Sequence, residues 1–92
     1  MKITITYFGQ LRQVVGAESE VAESAGPATL PAVLADLSAR HGPDYRRIAL
    51  DDAGDLRPSL IILVNGAPVA KGAAPALADG DEVTILPAIA GG

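Results

Sequence analysis

The chain has 92 residues and a formal net charge of −4, with no cysteine and one histidine. This length fits one domain, and 49% hydrophobic but 3% aromatic residues predict an aliphatic core. The acidic balance argues against nucleic acid or an anionic membrane as a partner, and the absence of cysteine excludes disulfides, thiol nucleophiles and cysteine-based zinc sites. We expect no metal site. The opening residues lack the apolar run of a signal peptide, so a cytoplasmic location is the expectation.

The first predicted elements form a hairpin. Residues 2–7 alternate apolar and polar side chains, which is typical of a half-buried strand. Residues 8–16 form a long, partly helical connection closed by a glycine. A weaker, charged edge strand follows over residues 18–23, with Val21 predicted to face inward.

A helix follows the hairpin. It is predicted to begin with Thr29 as its N-cap and to end at the Gly42-Pro43 pair. Its apolar residues fall at i, i+3, i+4 and i+7 and form one stripe: Leu30, Val33, Leu34 and Leu37. His41, in the last turn, is predicted to be a favourable charge at the helix C-terminus and not a ligand or a catalyst.

The middle of the chain combines a polar segment with a second hairpin. Residues 44–58 are irregular, and the three aspartates within residues 51–55 lack the spacing of a calcium loop, so they predict a solvated turn. Residues 59–64 form an apolar strand, and Asn65-Gly66 is a strong hairpin signal. The returning strand, over residues 67–71, carries a proline and is predicted to lie at an edge of the sheet.

The last strand and the residues after it are the most informative part of the sequence. Residues 82–87 form a strand that Pro87 ends, because proline has no N–H for the ladder. The five residues that follow predict a slim, flexible C-terminal arm: Ala88, Ile89, Ala90, Gly91 and Gly92. Extended from Pro87, this arm reaches about 20 Å, enough to carry its carboxylate into the active site of another protein. An incidental glycine pair is the competing interpretation.

The order β-β-α-β-β-β predicts an α+β fold of the β-grasp (ubiquitin-like) type. In this fold a mixed sheet of four to five strands packs on one main helix, with the first and last strands side by side and parallel. Residues 1–87 would form the domain and residues 88–92 the arm. One helix cannot cover both faces of the sheet, so the second face is predicted to bind partners. The residues proposed for it are Phe8, Leu60, Ile62, Leu86 and Pro87.

Several short motifs occur in an order that resembles the ubiquitin-like sulfur carriers, a family that includes the molybdopterin synthase small subunit and the thiamine-pathway carrier. They are Tyr7-Phe8-Gly9-Gln10-Leu11-Arg12, Thr29-Leu30, Val64-Asn65-Gly66, Asp79-Gly80-Asp81-Glu82-Val83 and Leu86-Pro87-Ala88-Ile89-Ala90-Gly91-Gly92. The likeness spans residues 1–92. The Phe-x-x-Leu-Arg opening and the long middle segment resemble the molybdopterin type most, whereas the tail also resembles carriers that donate sulfur for cysteine biosynthesis.

The resemblance implies a carrier with no catalytic site of its own. A partner of the ubiquitin-activating type would use ATP to adenylate the Gly92 carboxylate, and sulfur transfer would then give a thiocarboxylate. A synthase large subunit would accept the sulfur, with molybdopterin biosynthesis as the leading pathway and cysteine or thiamine biosynthesis as alternatives. No cofactor would bind the chain itself. A protein modifier conjugated through Gly92 and a simple binding module are the remaining alternatives.

Overall fold

The computed structural model describes residues 1–26, 28–70 and 73–87. Its elements in chain order are β1 (Lys2–Tyr7), α1 (Gly9–Val15), β2 (Ser19–Glu23), β3 (Ala28–Thr29), α2 (Leu30–His41), α3 (Pro43–Ala49), β4 (Leu60–Val64), β5 (Ala67–Pro68), β6 (Ala76–Leu77) and β7 (Glu82–Pro87). None of the helices in these ranges has the length and apolar character needed to cross a membrane.

The main sheet has five strands in the order β2-β1-β7-β4-β5. β1 and β7, the first and last strands, pair in parallel, and the other neighbours pair antiparallel. α2 packs on one face of this sheet, with α1 and α3 beside it. This is the β-grasp arrangement that the element order predicts, and its mixed sheet has five strands, the larger of the two predicted numbers. β7 lies at the centre of the sheet, hydrogen-bonded on both sides.

The core is aliphatic, as the composition predicts, and lies between the sheet and α2. The four stripe residues of α2 are at most 4% exposed, and Thr29 caps the helix by accepting a hydrogen bond from the Ala32 N–H at 3.4 Å. The sheet contributes side chains from its three central strands: Ile3, Ile5, Tyr7, Ile62, Val83 and Ile85. Because successive strand residues point to opposite faces, the opposite face of the sheet carries the side chains between them.

The predicted orientation of β2 is wrong. Val21 is 50% exposed, and its neighbour Ala22 is buried instead. The β1–β2 register pairs Ile3 with Ala22 and Thr4 with Val21. Paired residues share a face, so Ala22 joins the core and Val21 joins the outer face. A charged five-residue strand does not specify this register, since only one small residue marks the core side.

The polar middle segment contains more structure than predicted. Pro43 starts a third helix, α3, which is held by Tyr45 (0% exposed) and followed by the buried Leu50. The aspartate-rich stretch is a turn, as predicted, because Asp51 Oδ1 accepts hydrogen bonds from the backbone of Ala53 and Asp55, both at 2.9 Å. The short β3–β6 pair, which ties the start of α2 to the segment after β5, is not predicted.

The turns that deliver β7 follow the sequence signals. Asn65 and Gly66 both have positive φ (51° and 83°), as a two-residue hairpin turn between β4 and β5 requires. Asp81 Oδ1 accepts from the Asn65 side chain at 2.9 Å, and Asp81 Oδ2 accepts from the Ala78 N–H at 2.8 Å. These bonds hold the pKa of Asp81 below its ordinary value. The two turns thereby fix the start of β7 against the β4–β5 hairpin.

Candidate functional site

The five residues of the predicted arm lie outside the described residues, and so does the proposed attachment point, Gly92. What the structure places is the base of the arm. Pro87, the last residue of β7, pairs with Leu60 at the end of the sheet where β1 also finishes. Phe8, directly after β1, donates its N–H to the Ile85 carbonyl at 3.2 Å. The arm therefore starts from a strand held on both sides.

Gly9 packs directly against the base of the arm. Its φ is +66°, a conformation that favours glycine, and a Cβ built on it would lie 3.1 Å from Pro87 Cγ. The first turn of α1 thus approaches the proline ring more closely than most side chains would allow. A contact of this kind fixes where the chain leaves the domain.

The face of the sheet opposite the helices carries apolar side chains near the base of the arm. We call it the open face; its residues on the four longer strands include Thr4, Thr6, Val21, Ile61, Leu63, Thr84 and Leu86. Ile61 pairs with Leu86 and is 43% exposed. The charged pair Lys2–Glu23 lies at the other end of the sheet. The open face is thus apolar beside the arm and charged away from it.

Two residues proposed for partner binding, Leu60 and Ile62, lie on the opposite side of the sheet from Leu86. Ile62 is 5% exposed and pairs with Ile85 in the core, so it is not available for docking. Leu60 is half-buried and packs against the same core. The prediction that they line an open second face is wrong, because β4 is apolar on both sides and its sequence alone does not reveal which alternate residues face the helix. Ile61 and Leu63 occupy that face instead.

Leu86 lies on the open face, as predicted from its position in β7. Phe8, Leu60 and Pro87 come together elsewhere, in a groove of about 460 Å³ at the end of the sheet. We call this the arm-base groove; its lining residues are Phe8, Gly9, Gln10, Leu11, Arg47, Ile48, Arg57, Ser59, Leu60 and Pro87. Four of the five predicted partner-binding residues thus divide between two surfaces that border the base of the arm, and the fifth, Ile62, lies in the core.

A buried polar cluster, which the sequence analysis missed, lies inside the domain. Tyr7 Oη donates to Glu20 Oε2 at 2.5 Å and lies 2.9 Å from Tyr45 Oη, while His41 Nε2 lies 2.6 Å from the same Glu20 oxygen. The His41 ring also stacks on Tyr45 at 5.2 Å. His41 therefore links α2 to β2 and does not act only as a helix-end charge. The sequence signal for this cluster was Tyr7, on the apolar face of the first strand, because a buried hydroxyl needs a hydrogen-bond partner.

The cluster perturbs both tyrosines. Burial raises the pKa of Tyr45 to about 12. Burial, followed by the hydrogen bond to Glu20, raises the pKa of Tyr7 far above its ordinary value. Both hydroxyls therefore stay protonated as donors. The cluster joins β1, β2, α2 and α3, and we assign it a structural role.

Comparison with known proteins agrees with this architecture. The ThiS family model matches residues 5–92. The sulfur carrier protein CysO of Mycobacterium tuberculosis is 41% identical over 95 residues, covering all of both chains, and the small archaeal modifier protein 3 of Haloferax volcanii is 35% identical over 94 residues, again covering both in full. A crystal structure of an Amycolatopsis orientalis BexX/CysO complex matches with a TM-score of 0.76 and 31% identity, over 98% of this chain and 99% of that one.

These relatives are carrier and modifier proteins rather than catalysts, and one of them has been crystallised in complex with another protein. The match covers the β-grasp domain and continues through the glycine pair. The chain belongs to the ThiS family of ubiquitin-like sulfur carriers.

Proposed function

We propose that this protein carries sulfur as a thiocarboxylate on Gly92. The observation that carries the proposal is the 41% identity, over the whole of both chains, to a protein named as a sulfur carrier. The folded residues support it: β7 ends at Pro87 in the middle of the sheet, and the sequence then supplies a short arm that ends in two glycines. The domain would present this arm to partner enzymes and take no part in bond making.

The chemistry needs an activating partner, because a carboxylate is a poor electrophile. One oxygen of the Gly92 carboxylate attacks the α-phosphorus of ATP, and pyrophosphate leaves. A sulfide-level sulfur donor (HS−) then attacks the carbonyl carbon of the acyl-adenylate and displaces AMP, and loss of the S–H proton leaves a thiocarboxylate. The thiocarboxylate sulfur is the nucleophile in the next transfer. ATP is thus bound by the activating enzyme, which would be of the ubiquitin-activating type, and no cofactor is needed on the carrier.

Partner docking is assigned to the open face beside the arm. Ile61 and Leu86 are paired neighbours there, and they continue directly to the last described residue of β7. An enzyme that draws the arm into its active site must contact the surface around the base of the arm. Exposed apolar area is what such a contact buries most favourably. The acidic balance of the chain favours a partner with basic residues around that contact.

The sulfur acceptor is the finer part of the proposal. The Phe-x-x-Leu-Arg opening suggests molybdopterin synthesis, with a synthase large subunit as the acceptor. The similarity to CysO, together with the tail over residues 86–92, favours cysteine biosynthesis, and we place that pathway first. The two are separated by supplying the thiocarboxylate form to either acceptor enzyme and measuring which one removes the sulfur.

The central experiment is intact-mass measurement after incubation with ATP, the activating enzyme and a sulfur donor. We expect the mass to increase by the difference between sulfur and oxygen. Deletion of Gly92, or Gly91→Trp, should abolish the increase without changing the thermal unfolding of the domain, and Lys2→Gln, at the opposite end of β1, serves as the control. An unchanged mass with an active enzyme, or full modification of the Gly92 deletion, would contradict the proposal.

A modifier role is the second candidate, because a small archaeal modifier protein is 35% identical over both full chains. Carrier and modifier share the adenylate and differ in the acceptor, which for a modifier is a lysine amine. Covalent conjugates in the native cell that disappear on deletion of Gly92 would favour the modifier. Their absence, with the thiocarboxylate present, would favour the carrier.

A further inference from the structure

The arm-base groove combines two chemically different parts. Phe8, which is 43% exposed, and the half-buried Ile48 and Leu60 supply an apolar floor. Arg47 and Arg57 supply two guanidinium groups, and no acidic residue is among the described residues that line the groove. This local charge is opposite in sign to the net charge of the chain. An exposed apolar floor beside two cations fits a short segment with an apolar side chain and an anionic end.

The two arginines of the groove differ in their hydrogen-bond partners. Arg57 Nε donates to the Arg47 carbonyl at 2.5 Å, and Arg47 Nη1 donates to Asp44 at 3.0 Å. Within the described ranges no carboxylate pairs with Arg57, whereas Arg47 is paired with the exposed Asp44. Guanidinium groups bind carboxylates through paired hydrogen bonds, which makes them suited to a chain terminus.

The register of the sheet directs the arm past these groups. Leu60 pairs antiparallel with Pro87, so a continuation of β7 in the same direction would run beside the segment that precedes β4. That segment contains Arg57 and Ser59, and both line the groove. Pro87 is itself a lining residue. The groove therefore begins at the residue from which the arm departs.

The arm matches the groove in composition and length. Its one large apolar side chain is Ile89, and under the proposed function, on which this inference rests for its anionic group, Gly92 ends in a free carboxylate. Five residues span about 17 Å when extended, and two terminal glycines allow a sharp reversal, so the carboxylate can reach either arginine. We propose that in the free protein the arm docks reversibly in the arm-base groove, with Ile89 against Phe8 and the Gly92 carboxylate on the two arginines. Partners would then compete with the groove for the arm.

This docking does not depend on sulfur chemistry and is tested on the purified chain by NMR. We expect nuclear Overhauser effects between the Ile89 methyl groups and the Phe8 ring. Truncation after Pro87 should shift the signals of Phe8, Ile48 and the Arg57 side chain and leave those of Val21 on the open face unchanged. The double variant Arg47→Gln, Arg57→Gln should lower the docking constant about two- to five-fold, since exposed ion pairs contribute weakly.

Lys2→Gln removes an exposed cation at the far end of β1 and should leave the docking constant unchanged. Three results would overturn the proposal. The first is the absence of nuclear Overhauser effects to Ile89, together with NMR signals of the groove residues that do not change on truncation. The second is an equal effect of Lys2→Gln and the arginine variant, which would indicate a general charge effect. The third is a groove that responds only when the activating enzyme is added, which would assign it to the partner.

Discussion

Replacing Tyr7 by phenylalanine tests the buried polar cluster, and Tyr45→Phe is the matched control. Both variants delete one buried hydroxyl and keep the ring, and the two residues are 1% and 0% exposed. They differ in the hydrogen-bond partner of the hydroxyl that is deleted. A Tyr hydroxyl has one proton, and an ionised Glu20 only accepts, so the Tyr7 proton goes to Glu20 and Tyr45 donates to Tyr7.

The two variants should therefore differ in cost. Tyr7→Phe removes a hydrogen bond to a charged group and leaves the Tyr45 hydroxyl buried without an acceptor, so we expect a loss of about 2–3 kcal/mol in the free energy of unfolding. Tyr45→Phe removes one neutral hydrogen bond and leaves the Tyr7–Glu20 bond intact, which should cost about 1 kcal/mol. For a chain of this length each kcal/mol lowers the midpoint of thermal unfolding by about 4–8 °C.

Urea unfolding at neutral pH measures both costs, with thermal unfolding as a second readout. Equal m-values in the wild type and the variants would show that the free energies compare the same transition. If Tyr45→Phe cost as much as Tyr7→Phe, the assignment of donors would be refuted. A loss below about 0.5 kcal/mol for Tyr7→Phe would show that the cluster contributes no more than surface contacts do.

Three further predictions follow from the same structure. Folding raises the pKa values of both tyrosines, so their contribution to stability is complete below the unfolded pKa of about 10 and falls as the pH rises above it. The fall amounts to at most about 1.4 kcal/mol per pH unit for each residue. An absorbance titration of the phenolate form should show no step near pH 10 until the protein unfolds. Gly9→Ala should lower the free energy of unfolding more than Gly16→Ala, because both residues have positive φ (66° and 79°) and only a Cβ at Gly9 would also contact Pro87. Each variant should lose at least about 1 kcal/mol, measured by urea unfolding. Equal losses would show that the proline ring moves aside. Ile61→Asp should weaken binding to the activating enzyme more than Val21→Asp, as measured by calorimetry. Both side chains are exposed on the open face, but only Ile61 lies beside the strand that carries the arm. Equal effects would show that the part of the open face near the arm is not the docking surface.

Much of the fold was predictable because its signals are local. The α2 stripe, the hairpin turn at Asn65 and Gly66, and the alternation in β1 each specify an element from neighbouring residues. The parallel pairing of β1 with β7 joins the two ends of the chain, and it followed from the element order and from the rule that one helix must cover one face. Local pattern and global topology agreed at these places.

The errors arose where the local pattern was ambiguous. β4 is apolar throughout, so its residues could face either way, and Ile62 was placed on the wrong side. β2 has a single small core residue, Ala22, among charged neighbours, and a one-residue shift exchanges its faces. The link between His41 and Glu20 joins residues 21 positions apart, and it depends on how α2 and β2 pack together. No spacing rule reports such a contact.

The position of the arm on a central strand bears on how a carrier works. A partner that draws the arm into its active site pulls on β7, and an edge strand would resist such a pull with one ladder of hydrogen bonds. β7 has two, to β1 and to β4, and its side chains at Val83 and Ile85 are fully buried. Stability in proteins is not uniform, and strands at the centre of the core open last. Under the proposed function the reactive end would therefore be carried by a strand that is paired on both sides and anchored in the core, so that a partner could extend the arm without unpairing β7.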